Sequence, residues 1–163
     1  MGAGKTTVGH CLANDLGWEF LDLDELIERR SGMTISEIFE KEGEPGFRSM
    51  EESALGQISE EDSVVVATGG GIMIEAKNRD LMKERGVTVW LNVPLAEIES
   101  RLRDSDLRTR PVYEDWAQAK ELFEKRTRIY ELSSYRVDVS PVSTAQEIAN
   151  SVRGLLRESE CDI

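Results

Sequence analysis

The chain has 163 residues, 39% of them hydrophobic and 32% charged, which is the composition of one globular domain and excludes a disordered chain, a collagen and a coiled-coil rod. Asp and Glu total 32 against 20 Lys and Arg, a net charge of -12 that repels polyphosphate and anionic lipid, so nucleic acid and membrane surfaces are excluded as general partners while a small anion in a local basic pocket stays open. Two cysteines (Cys11, Cys161) and one histidine (His10) exclude a disulfide framework and a Cys/His zinc site, and with no apolar run of roughly 18 residues and no secretory h-region a cytosolic location is expected.

Strand-like runs alternate with helical patterns, which predicts a parallel α/β sheet in a single domain over 1–163. A helix over 5–16 comes first, with Val8, Leu12 and Leu16 at helical spacing. A strand at 19–22 follows, then a helix to Arg30 that Asp24 can cap. Thr34 to Glu37 reads as a capping box opening a short helix, and a second helix runs over about 46–58. The strand at 63–67 contains Val64, Val65, Val66 and Ala67, apolar throughout, as a strand covered on both faces should be. A helix over about 75–85 ends at Gly86. A strand at 88–92 leads to a helix that opens near Pro94. The stretch at about 104–115 is polar, carries Arg108 and Arg110, and contains Pro111; it reads as a surface loop and a lid. A long helix over 116–132 and a strand at 136–139 precede the last helix. That helix opens at Ser143 to Gln146, again a capping box, with Ile148, Val152, Leu155 and Leu156 on one face.

Three constellations carry chemistry. Gly4-Lys5-Thr6 matches the last positions of the phosphate-binding pattern G-x-x-x-x-G-K-[ST], directly before an amphipathic helix. Glycines let backbone N–H groups close around phosphate oxygens, and the helix aims its positive end at the same anion. Lys5 would reach the β- and γ-phosphates and the Thr6 hydroxyl would ligate Mg²⁺. Gly2, Ala3, Gly4 and Thr7 complete the loop. The pattern's first glycine would fall two residues ahead of Met1, as would the strand that normally feeds such a loop. The expectation is a natural chain that begins further upstream, and two open strand edges where that strand is absent.

The second constellation is Asp22 and Asp24, at and just beyond the carboxyl end of a strand, where ligands of open α/β sheets bind. Asp22 can hold the metal through water, and Asp24 can accept a substrate hydroxyl and its proton. Asp24 can equally serve only as a helix cap. Third, Gly69, Gly70 and Gly71 follow the buried strand and suggest close backbone approach to a ligand, or a plain flexible connection. Arg48 and Glu51, three residues apart on one helix, read either as a surface ion pair or as an Arg oriented by Glu to receive a carboxylate. Arg108, Arg110, Arg126 and Arg128 remain, each a solvated Arg or a phosphate- or substrate-binding one.

In combination these residues resemble one family, the P-loop shikimate kinases. The stretches that carry the resemblance are MGAGKTTVG from Met1, FLDLDELIE from Phe20, IFEKEGEPGFRSMEE from Ile38, ATGGGI from Ala67, VWLNVPL from Val89, RTRPVY from Arg108 and KRTRIYE from Lys125. The resemblance implies a three-layer P-loop NTPase-like fold with a parallel sheet of order 2-3-1-4-5, its first strand absent from this chain. It implies ATP-dependent phosphorylation of shikimate at the 3-hydroxyl, in aromatic amino-acid biosynthesis, with ATP and Mg²⁺ and a monomeric enzyme. Lys5, Asp24 and Arg110 match catalytic positions. Gly2, Ala3, Gly4, Lys5, Thr6, Thr7 and Arg110 match the nucleotide site, and Thr6 and Asp22 the metal site. Asp24, Arg48, Glu51, Gly69, Gly70, Gly71 and Arg126 match shikimate-binding positions, and Arg101 a position near adenine. Two other readings are a P-loop kinase for another hydroxy acid such as gluconate, and a shikimate-binding protein without catalysis.

Overall fold

The computed structural model describes residues 2–58, 63–103 and 116–158. The expected lid, with Arg108 and Arg110, and Cys161 lie outside the described residues.

Helix α1 (Lys5–Leu16) starts at Gly4, whose φ of 77° lies in the left-handed region that favours glycine, and stops at Gly17 (φ 70°). Strand β1 (Glu19–Asp22) passes without a loop into α2 (Leu23–Ser31). The cap of α2 is Asp22, whose carboxylate accepts the Asp24 N–H at 3.0 Å. This corrects the expectation that Asp24 caps the helix: Asp24 stands inside the first turn, and its carboxylate is not needed there. The span α3 (Ile35–Ile58) is two helices that meet at Gly43, whose φ of 67° and ψ of −177° are not helical, just before Pro45, as the two expected helices require. The expected capping box opens it: Glu37 Oε2 accepts the Thr34 N–H at 2.8 Å and Thr34 Oγ1 accepts the Glu37 N–H at 3.3 Å.

Strand β2 (Val64–Ala67) leads through the glycines into a 3₁₀ turn (Ile72–Ile74) that the sequence did not announce, and then α4 (Ala76–Arg85). Strand β3 (Val89–Asn92), α5 (Leu95–Arg103), α6 (Trp116–Tyr130), β4 (Tyr135–Asp138) and α7 (Ala145–Glu158) complete the described order. Strand β4 begins one residue earlier than expected. The last capping box is also displaced, to Thr144 and Glu147, with the Thr144 N–H donating to Glu147 Oε2 at 2.8 Å.

The strands form two parallel pairs, β1 with β2 (Glu19 opposite Val64) and β3 with β4 (Val89 opposite Tyr135). The side chains of β2 alternate across the sheet, as period-2 geometry requires. Val65 packs against the core of Val8, Leu12, Val137, Val152 and Leu156, built on α1, β4 and α7. Val64 and Val66 pack against Leu23, Ile27, Ile38, Leu55 and Ile72, built on α2, α3 and the 3₁₀ turn. Helices therefore cover both faces, which gives the expected three layers. Between β2 and β3 lies a largely apolar cavity of about 580 Å³, lined by Val64, Val65, Val66, Val89 and Leu91 and reaching Lys5 and Gly70. Among the described residues β2 and β3 each pair on one side only, so the two open edges expected from the sequence face this cavity. No described helix is long and apolar enough to cross a membrane.

Candidate active site

The carboxyl ends of β1 and β2 and the start of α1 meet at one place. Gly2 (φ 71°) and Gly4 (φ 77°) turn the chain into α1 through left-handed conformations, so the loop needs glycine at both positions. Lys5 is the first helical residue. The Thr6 hydroxyl donates to Asp22 Oδ2 at 2.8 Å. Asp22 thus holds Thr6 with one oxygen and the Asp24 backbone with the other. This carboxylate links the phosphate loop to the residue that was expected to meet the acceptor. The hydroxyl and carboxylate are hard oxygen donors, the chemistry Mg²⁺ takes, and they fit a metal at this point.

The acceptor side is organised around the three glycines. None of Gly69, Gly70 and Gly71 has a left-handed φ, so what the site requires is the absence of a side chain. A Cβ on Gly69 would stand 2.9 Å from Glu51 Oε1 and 3.2 Å from Asp24 Oδ1. One on Gly70 would stand 2.5 Å from the Tyr130 hydroxyl and 3.3 Å from Arg126 Nη1. One on Gly71 would overlap the Arg48 guanidinium. The reading of these glycines as a plain flexible connection is thereby removed: they are a floor on which Asp24, Arg48, Glu51 and Arg126 converge from α2, α3 and α6.

Arg48 is fixed from two sides. Its Nη1 donates to Glu51 Oε2 at 2.5 Å, while Nη2 and Nε donate to Glu44 Oε1 at 2.8 and 3.3 Å. A guanidinium has five N–H donors, so two are left for a ligand. Burial pulls the Arg48 pKa down, but the hydrogen bonds from Glu51 and Glu44 outweigh it and the net direction is up. Glu51 is fully buried. Burial pushes its carboxyl above the ordinary range, against the Arg48 hydrogen bond and charge; Asp24 adds a smaller upward push and Arg126 a smaller downward one. A charge held at that cost is poor evidence of a stabilising ion pair and better evidence of a group kept to orient Arg48. Arg126 Nε is buried with no hydrogen-bond partner among the described residues, which a bound anion would supply. Arg128, by contrast, is exposed.

Two residues of the site escaped the sequence reading. Glu44 lies one helical turn before Arg48, and that spacing was visible. Tyr130 lies one turn after Arg126, and its hydroxyl donates to the Gly70 carbonyl at 2.7 Å. Arg101 lies against the phosphate loop: Nη1 donates to the Gly2 carbonyl at 3.3 Å, and Nε to Glu97 at 2.9 Å.

A family profile described as shikimate kinase matches residues 1–157. The chain belongs to the shikimate kinase family. A shikimate kinase of Sulfurihydrogenibium sp. (strain YO3AOP1) is 38% identical over 159 residues, covering 94% of this chain and 93% of that protein. One from Acinetobacter baumannii (strain AYE) is 39% identical over 158 residues, covering 96% and 87%. Among solved structures, an Acinetobacter baumannii shikimate kinase in complex with shikimate superposes with a TM-score of 0.90 at 37% identity, over 99% of this chain and 91% of that one. A shikimate kinase from Aquifex aeolicus gives 0.84 at 34% identity, over 99% and 94%. The fold is the α/β P-loop fold of these enzymes.

Proposed function

We propose that the protein transfers the γ-phosphoryl group of ATP to the 3-hydroxyl of shikimate, giving shikimate 3-phosphate and ADP, a step of aromatic amino-acid biosynthesis. The observation that carries this reading is the convergence of Arg48, Arg126, Glu51 and Asp24 on the glycine floor, tied through Asp22 to the phosphate loop. Shikimate kinase relatives across nearly the whole chain support it, one of them solved with shikimate bound.

Shikimate is a ring with one carboxylate and three hydroxyls, and the site offers a partner for each kind of group. Arg48, oriented by Glu44 and Glu51, and Arg126 receive the carboxylate. Asp24 accepts the 3-hydroxyl. As that oxygen bonds to the γ-phosphorus, its proton passes to Asp24 and the bond to the ADP oxygen breaks. Gly2, Ala3, Gly4, Thr7 and the start of α1 cradle the donor phosphates, and Lys5 offsets their charge. Thr6 and Asp22 are the residues that would hold Mg²⁺, which when bound neutralises phosphate charge. Arg110 is assigned to the transferring group on its Arg-Pro motif alone. The enzyme acts as a cytoplasmic monomer in this reading, on a small molecule and without nucleic acid.

The test is acceptor choice. Initial rates with ATP and Mg²⁺ are compared for shikimate, shikimate methyl ester and gluconate, and the product is located by ³¹P–¹H correlation. The reading expects turnover of shikimate alone, with phosphate on O3. Equal turnover of the ester would refute the carboxylate assignment to Arg48 and Arg126, and faster turnover of gluconate would refute shikimate as the acceptor.

A further inference from the structure

The glycine floor carries an unsolved problem of its own. Three consecutive glycines have no side chains to hold their peptide planes, and the Gly70–Gly71 peptide is flanked by no Cβ on either side. Rotation of such a peptide about its neighbouring dihedrals meets little steric resistance. In a trans peptide the carbonyl and the following N–H point in opposite directions, so a flip exchanges a donor for an acceptor at the same spot. A polar ligand on this floor would then meet two surfaces of opposite hydrogen-bonding sense.

Tyr130 answers this. It is the last residue of α6, one turn after Arg126. Its hydroxyl donates to the Gly70 carbonyl at 2.7 Å, across 60 residues of sequence. The ring is held from behind by Trp90, centroids 6.1 Å apart, and it packs on the core of Ile72 and Met73 immediately after the glycines. The hydroxyl therefore approaches from a fixed direction. With the Gly70 carbonyl drawn toward α6, the Gly71 N–H is turned away from α6. The bond also ties the floor to the helix that carries Arg126, whose Nη1 would be 3.3 Å from a Gly70 Cβ.

We infer that Tyr130 is a positioning residue for the acceptor: its hydroxyl selects one orientation of the Gly70–Gly71 peptide and holds Arg126 in register with the glycine floor. The inference rests on the shikimate reading and deepens it. Tyr130 itself need not touch the substrate, and the nucleotide site on the phosphate loop is built from other residues.

The test is a double-mutant cycle of Tyr130→Phe and Gly70→Ala, read as KM for shikimate and KM for ATP. Tyr130→Phe keeps the ring and removes only the hydroxyl. It should raise KM for shikimate about three- to tenfold, the span that one neutral hydrogen bond controls, and leave KM for ATP within about twofold. Gly70→Ala places a methyl 2.5 Å from the Tyr130 oxygen but 3.8 Å from the ring carbon that bears it. Removing the hydroxyl relieves that overlap, so in the Gly70→Ala background Tyr130→Phe should lower KM for shikimate. The reversal reports the close approach of the hydroxyl to Gly70, and the rise confined to KM for shikimate is what a hydroxyl that merely stabilises α6 would not produce. Equal effects in both backgrounds, no effect on wild-type KM for shikimate, or a parallel rise in both KM values would overturn the inference. Absence of shikimate-dependent ADP release from both the wild type and the same chain extended ahead of Met1 overturns the substrate reading and this inference with it. A wild type that turns over shikimate, with Tyr130→Phe unchanged, overturns this inference alone.

Discussion

Arg48 commits three of its five N–H donors to Glu44 and Glu51 before any ligand arrives, so its remaining two are presented in one direction. Arg48→Ala should therefore raise KM for shikimate at least tenfold, because a desolvated charge pair is lost, and lower the melting temperature, because the buried Glu51 carboxyl loses its partner. Gly71→Ala tests the same point without touching a charge. Its methyl overlaps the guanidinium, and steady-state kinetics should show a comparable loss of shikimate affinity. An unchanged KM in both variants would remove Arg48 from the site. Glu51 gives a pH prediction. Its folded pKa is raised above the ordinary 4.5, so its contribution to stability is complete below that value and is lost as pH rises through the folded pKa. Thermal melts of wild type and Glu51→Gln should show the wild type losing ground as pH rises from about 4.5 to 7. A difference that stays flat, or moves in the wild type's favour, contradicts the burial argument. Most residues of this site were legible because they are charged or glycine residues at a strand end or at helical spacing; Glu44 has that spacing and was still passed over. Tyr130 was not, since its bond to Gly70 exists only once α6 lies across the glycine turn.

Elements were legible where the pattern offered a single solution. Helix α1 and strand β1 have the expected bounds, because Gly4 and Gly17 close one and a change of period marks the other. Errors arose where adjacent residues could play the same part. Asp22 and Asp24 can both cap a helix, and Asp22 does so because α2 follows β1 with no intervening loop. Ser143 and Thr144 can both open a capping box; the box forms at Thr144 and Glu147, with Ile148, Val152 and Leu156 buried. Backbone and hydroxyl bonds from Thr144 hold the Glu147 carboxyl below its ordinary range. Thr144→Ala should lower the melting temperature by about 2–4 °C, while Ser143→Ala should leave it nearly unchanged. The reverse ranking would restore the displaced box.

At the scale of the whole molecule the sheet is two parallel pairs on either side of an apolar cavity of about 580 Å³. The order β1-β2 and β3-β4 corresponds to the family order 2-3-1-4-5 with the middle position open. Each open edge is a row of backbone donors and acceptors without ladder partners. An apolar, β-branched segment of about five residues, followed by a glycine and one further residue and joined ahead of Met1, has the composition and length of a strand that would fill this space and completes the phosphate-loop pattern. Such an extension should raise the melting temperature by more than about 10 °C through burial of apolar side chains on both faces. No change would mean that the cavity does not accept a strand. This feature was legible from the phosphate-loop pattern, whereas the cavity's reach to Lys5 and Gly70 needed the packed structure. The central claim is that the glycine floor and the phosphate loop form one phosphoryl-transfer site. Its most direct test is coupled ADP release from ATP and Mg²⁺, with and without shikimate, for the wild type, Lys5→Met and the extended chain. The account predicts shikimate-dependent ADP release that Lys5→Met abolishes while keeping its fold. Release that ignores shikimate, or survives Lys5→Met, would contradict it, as would none from either the 163-residue or the extended chain.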